Sequence, residues 1–172
     1  VSYLGVSSGR EWLHCMRREY EWVDYLKSID EDRKQRALTG KGAIVSAREG
    51  GVRVQTPERQ TTTIKKDVAD KIPDAMPLAC AEAILEYSPI DVVQKISPRG
   101  VLFIAVEGDA VTPEQQSFDL YEKALEPKKL VLYKKTTHYG IYNDYFDDVA
   151  ANVVDWYNRH LKYDKVEITE KQ

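Results

Sequence analysis

The chain has 172 residues, 42% of them hydrophobic and 31% charged, with a net charge of −3 and a pI near 5.7. That suits one soluble globular unit long enough to bury a core, with Lys and Arg interspersed among acids rather than gathered into a nucleic-acid-binding face. The longest apolar run has strand length, far below the roughly 18 residues that span a bilayer, so neither nucleic acid nor membrane is an expected partner.

Residues 1–6, Val-Ser-Tyr-Leu-Gly-Val, are apolar and β-rich, and Ser7-Ser8-Gly9 closes them as a turn. A buried strand is an unusual opening, so an upstream segment, removed or on another chain, is expected. Residues 10–28 read as a helix with one apolar stripe of Trp12, Met16, Tyr20, Val23 and Leu26. A charged helix starts at Asp30 and ends near Thr39-Gly40, where glycine suits a C-terminal cap. Residues 42–66 have no helical period, and the alternation at Val52-Arg53-Val54 predicts a short strand. Pro73, Pro77, Pro89 and Pro98 punctuate two short helices over residues 78–87 and 90–96. Cys15 and Cys80 lie in apolar helical contexts and read as buried free thiols, which points to a reducing, cytoplasmic setting.

From Gly100 the pattern sharpens. Val101-Leu102-Phe103-Ile104-Ala105-Val106 is the continuous apolar run of a strand buried on both faces of a parallel sheet. Thr112-Pro113-Glu114-Gln115 reads as a capping box opening a helix that buries Phe118, Tyr121 and Leu125. Pro127 stops it, and Leu130-Val131-Leu132-Tyr133 forms a second strand, parallel to the first. A loop, Thr136-Thr137-His138-Tyr139-Gly140, leads to a final helix over residues 145–161. It buries Val149, Val153, Trp156, Tyr157 and Leu161, and residues 164–172 form a polar tail.

Loops leaving the C-terminal ends of parallel strands share one edge of the sheet, where ligands bind. Asp109 follows one strand and His138 the next, so the topology can bring carboxylate and imidazole together. Such an Asp would fix the His tautomer and stabilise the imidazolium. Asp109 could equally be a turn residue, and His138 a loop residue capping the last helix. His14 and His160 read as structural, the latter beside a helix C-terminus. No Cys/His spacing suits a metal, and no glycine-rich loop or cofactor motif occurs, so no cofactor is expected.

Residues 96–161 resemble the C-terminal third of the α/β-hydrolase superfamily, on the esterase, dienelactone-hydrolase and acyl-peptidase-like branch. The resemblance rests on Pro98 before the apolar strand, Glu107-Gly108-Asp109 with Pro113, Leu120-Tyr121, Pro127-Lys128, His138-Tyr139 with Tyr142, and a closing helix ending Trp156-Tyr157-Asn158-Arg159-His160-Leu161. It implies the C-terminal half of an α/β-hydrolase fold with residues 1–9 as a core strand, 10–95 as a helical lid and 96–172 as the end of the core. It further implies catalytic Asp109 and His138, an Asp-then-His order, and acyl transfer from an ester, lactone or amide to water. Trp12, Met16 and Tyr20 are the candidate substrate-binding residues of the lid.

The superfamily also needs a nucleophile elbow. Gly5-Val6-Ser7-Ser8-Gly9 satisfies G-x-S-x-G literally, yet Trp12 is too bulky for a helix packed tightly on the sheet. The nucleophile is therefore expected on an N-terminal half upstream or on another chain, with a small acyl substrate and homo-oligomerisation left open. A hydrolase-like binding or scaffold module and a self-contained flavodoxin-like domain are the rival expectations.

Overall fold

The computed structural model describes residues 1–46, 51–61 and 73–161. Its centre is β4 (Val101–Val106), flanked in one parallel sheet by β1 (Ser2–Tyr3) and β5 (Lys128–Tyr133). The β4–β5 register runs from Val101 opposite Lys128 to Val106 opposite Tyr133, and Ser2 lies opposite Phe103. No residue of β4 is more than 5% exposed.

Alternation along β4 explains its unbroken apolar sequence, because both faces are covered. Leu102, Ile104 and Val106 pack with Tyr133, with Ile141 of α6 (Ile141–Asp144) and with Trp156 of α7 (Phe146–His160). Val101 and Phe103 face the other way, onto Val93, Ala124 and Leu120 of α5 (Gln115–Lys123). The expected β4–α5–β5 crossover is present. β1 is shorter than residues 1–6: Leu4 donates one more ladder bond to the Ile104 carbonyl at 2.9 Å, then its φ of 50° turns the chain out of the strand.

Between β1 and β4 lies a helical unit with its own core of Leu13, Trp22, Tyr25, Ile29, Val52, Leu78 and Ala81. Here the helix expectations need correcting. α1 (Gly9–Cys15) and α2 (Glu19–Thr39) break at residues 16–18, not near residue 29. Two side chains make that break: Arg17 donates to the Leu13 carbonyl at 2.8 Å, and Glu21 accepts the Arg18 amide at 2.8 Å. The supposed single stripe is therefore split between two helices. On α2 the buried positions are Trp22, Tyr25, Ile29 and Asp32, whereas Tyr20 and Val23 are exposed. The helix ends at Gly40, left-handed at φ 72°, as the sequence suggests.

The two-stranded sheet pairs β2 (Ile44–Ser46) with β3 (Ala75–Pro77), antiparallel. Residues 52–54 are not a strand: Val52 is buried in the helical unit, and its carbonyl accepts the Tyr25 hydroxyl at 2.8 Å. A short α3 (Pro57–Thr61) follows, then α4 (Ala79–Glu86). Residues 90–96 form parts of two 3₁₀ turns, Pro89–Asp91 and Val93–Ile96, instead of one helix. Cys15 is exposed and Cys80 half-buried, both free, so the pair of buried thiols is corrected too. Leu120 of α5 and Trp156 of α7 are buried, while Tyr157 of α7 and, past the two helix ends, Leu125 and Leu161 stay exposed. The expectations for residues 62–66 and 164–172 fall outside the described residues.

Asp32 ties α2 to β2. Its carboxylate accepts the Ala43 amide at 2.5 Å and Arg36 Nε at 2.9 Å, and Arg36 also pairs with Glu82 of α4. The Ala43 amide and then Arg36 hold the Asp32 carboxyl below its usual range. A depressed folded-state pKa adds stability that is complete above the unfolded carboxyl's value, roughly 3.9, and is lost as pH falls through the folded value. Denaturant titrations of Asp32→Asn and the parent should therefore differ most above that value and converge as acid protonates Asp32. A stability gap that stays constant down to strong acid would contradict the linkage.

Candidate active site

The loop after β4 leaves the strand through Gly108, whose φ of 68° turns the chain so that Asp109, three residues past Val106, folds back under the sheet edge. Asp109 divides its two oxygens between two tasks. Oδ1 accepts the backbone amides of Val111 and Thr112, at 2.7 and 2.9 Å, which makes the turn. Oδ2 lies 2.8 Å from His138 Nδ1. The turn geometry and the contact to the imidazole thus meet in one residue.

His138 follows β5 by way of Lys135, which takes a left-handed φ of 60°. Strained backbone of this kind persists where surrounding structure over-determines it. The Asp109 side chain is fully buried and that of His138 only 13% exposed. A buried carboxylate that accepts two backbone amides is stabilised as an anion. Ionised Asp109 has no proton to give, so Nδ1 carries the shared one and Nε2 of the neutral ring is left with its lone pair. No described residue hydrogen-bonds Nε2. The arrangement can accept a proton at Nε2 and stabilise the resulting imidazolium through Oδ2.

Aromatic rings hold the imidazole from the side. Tyr139 and Tyr142 meet it edge-on, with centroids at 4.9 and 6.0 Å. Tyr142 in turn meets Tyr3 of β1 at 5.0 Å and 83°. Burial, then the Asp109 charge, pushes the Tyr142 hydroxyl above its ordinary pKa, and burial likewise raises Tyr3, to about 12. Both remain neutral phenols around neutral pH, so the carboxylate is the anion facing His138 here.

The G-x-S-x-G look-alike has structural duties. Ser7 is 2% exposed, and its amide and hydroxyl both donate to Gln116 Oε1, at 3.0 and 2.9 Å. Ser8 caps α1 by accepting the Glu11 amide. Gly9 sits where α1 crosses the end of α4: an added Cβ would lie 1.8 Å from the Ile84 carbonyl oxygen. A nucleophile elbow is sharply strained, yet among the described non-glycine residues only Leu4 and Lys135 have positive φ.

The three candidate substrate residues separate. Trp12 reaches the loop after β4, its indole N–H donating to the Val111 carbonyl at 2.9 Å, and it lines an apolar pocket of about 310 Å³ with Val6, Ala83, Ile84 and Tyr87. Met16 caps the end of α1, and Tyr20 is exposed on α2. Gln116, which the sequence did not single out, is a buried acceptor for the turn after β1. The capping box does not form, because the Thr112 amide is taken by Asp109 and α5 starts from Glu114 with no side-chain cap. Among the described residues no group of three or more His, Cys, Asp and Glu could hold a metal, and no helix is long and apolar enough to cross a membrane.

Similarity to known proteins is carried by structure alone. No protein-family model and no curated protein matches the sequence. Among solved structures, the alpha/beta hydrolase GrgF from Penicillium sp. sh18 superposes with a TM-score of 0.64 at 17% identity, over 94% of this chain and 55% of its own. DcsB, solved in complex with its substrate analogue, gives 0.71 at 10% identity over 92% of this chain and 56% of its own. The chain has an α/β-hydrolase-like fold. A hypothetical protein from Pseudomonas aeruginosa matches similarly, at 0.65 and 17% identity over 92% of this chain and 52% of its own. The chain thus spans about half the length of these structures, with its parallel strands and flanking helices forming part of the fold.

Proposed function

We propose that this chain supplies the acid and base of a serine-type hydrolase acting on an ester, lactone or amide. The observation that carries the proposal is the 2.8 Å contact between buried Asp109 Oδ2 and His138 Nδ1, at matching ends of neighbouring parallel strands. A serine Oγ attacks the substrate carbonyl carbon and its proton passes to His138 Nε2. The tetrahedral intermediate collapses, and the departing alkoxide or amine takes that proton. Water then attacks the acyl ester, again giving its proton to Nε2, and the proton returns to Oγ as the acid leaves. Asp109 stays ionised throughout and orients the ring.

The nucleophile belongs to an upstream half, in the same or another chain. Two observations support this. Among the described residues β1 is paired on one side only, with an apolar groove of about 240 Å³, lined by Val1, Val92, Val93, Phe103 and Leu120 among others, beside it. Ser7 is tied to Gln116 and lacks the backbone of an elbow. Further strands added beside β1 would bring their C-terminal loops to the rim that holds Asp109 and His138. The helical unit of residues 10–95 acts as the lid in this reading, and the pocket beside Trp12 suits an apolar acyl group.

A non-catalytic, hydrolase-like scaffold is the second reading, favoured by the absence of an elbow serine among the described residues. Hydrolysis of p-nitrophenyl butyrate by the complete protein decides between them. Turnover preceded by a stoichiometric burst of p-nitrophenol is the expected result; no hydrolysis of this ester or of a matched thioester and lactone set supports the scaffold.

A further inference from the structure

The loop that carries His138 is held from the helical unit, across a wide gap in sequence. Glu58 Oε1 of α3 accepts the backbone amide of Tyr139, the residue next to the base, at 2.9 Å. Its neighbour Arg59 points Nε at the Tyr139 hydroxyl, at 3.5 Å. α3 is itself anchored: Arg59 donates to the Val54 carbonyl at 2.8 Å, and the Arg59 amide to buried Thr56 at 3.1 Å. Val52, two residues before Val54, is buried in the core of the helical unit and bonded to Tyr25 of α2. A continuous set of contacts therefore runs from α2 through Val52, Val54 and α3 to the amide beside His138.

We propose that Glu58 is a positioning residue for His138, and that α3 is the latch by which the helical unit holds the base loop in register with Asp109. The assignment rests on the hydrolase reading above. Lys135 leaves β5 in a left-handed conformation, so the loop is not held by ladder bonds on that side. The Tyr139 amide needs an acceptor, and a carboxylate is a strong one. Without it the imidazole loses alignment with the serine more than it loses substrate, and small misplacements of a catalytic group are costly. Glu58 holds the backbone amide beside His138 and not the imidazole itself, so its effect falls on kcat.

In the full-length protein, Glu58→Ala should lower kcat for p-nitrophenyl butyrate about tenfold or more with KM within about twofold. Hydrogen exchange at the Tyr139 amide should quicken in the same variant. Glu58→Gln keeps an acceptor oxygen and should restore most of both. A Glu58→Ala variant with parent kcat and parent Tyr139 exchange overturns the latch, and so does Glu58→Gln if it is as impaired as Glu58→Ala. Should His138→Ala also retain parent turnover, the hydrolase reading has failed instead, and Tyr139 exchange alone judges the latch: quickened in Glu58→Ala it stands as a loop clamp, unchanged it is wrong.

Discussion

If the proposed hydrolase function holds, His138→Ala should lower the turnover of the complete protein by about three to six orders of magnitude while leaving its unfolding midpoint close to the parent's. The ring is 13% exposed and its one hydrogen bond among the described residues is to Asp109, so truncation removes the proposed proton acceptor without opening the β4 core. Asp109→Asn should cost up to roughly ten-thousand-fold, through a tautomer effect. The amide nitrogen of Asn is a donor, and if it faces Nδ1 the ring proton is driven to Nε2, where the serine proton must go. Asn also keeps an oxygen for the Val111 and Thr112 amides, so the turn survives. Steady-state kinetics under saturating ester, with circular dichroism as the folding control, checks both. Near-parent kcat in His138→Ala would remove the base assignment.

Phe103→Ala should destabilise the protein by about 3–5 kcal/mol, the range for truncating a buried Phe in a core that relaxes only partly. Phe103 is 1% exposed at the middle of the central strand, packs with Leu120, Val93 and Ala124, and meets the Tyr121 ring edge-on at 6.3 Å. It also lines the groove beside β1, so its loss would enlarge a space already present. Urea unfolding of the parent and variant measures the difference. A loss below about 1 kcal/mol would mean that this face of the sheet is not a packed core.

Much of the β4–α5–β5 unit could be read from the residues. The run Val101–Val106 is apolar without interruption because both faces are covered, and Pro127 marks where the helical segment stops. The placement of Asp109 and His138 together followed from that topology, since neighbouring parallel strands send their loops to one edge. What escaped the sequence depends on contacts between distant segments. Gln116 answers Ser7 across 109 residues and Glu58 answers Tyr139 across 81, and no local pattern marks either. The break at residues 16–18 escaped for another reason: Arg17 and Glu21 close the two helix ends with side-chain bonds, where Gly or Pro would have announced the stop. Tyr20 and Val23 then fell on the exposed side of α2 because the second helix restarts with a different phase.

The central claim is that Asp109 and His138 serve a serine lying on strands beyond the open side of β1. Fluorophosphonate labelling of the complete protein, with the adduct located by peptide mass spectrometry, tests it most directly. The expected result is one phosphonylated serine, upstream of Val1 in the same chain or on a copurifying one, with labelling at least about a hundredfold slower in His138→Ala. An adduct on Ser7, or labelling that His138→Ala leaves unchanged, would contradict it.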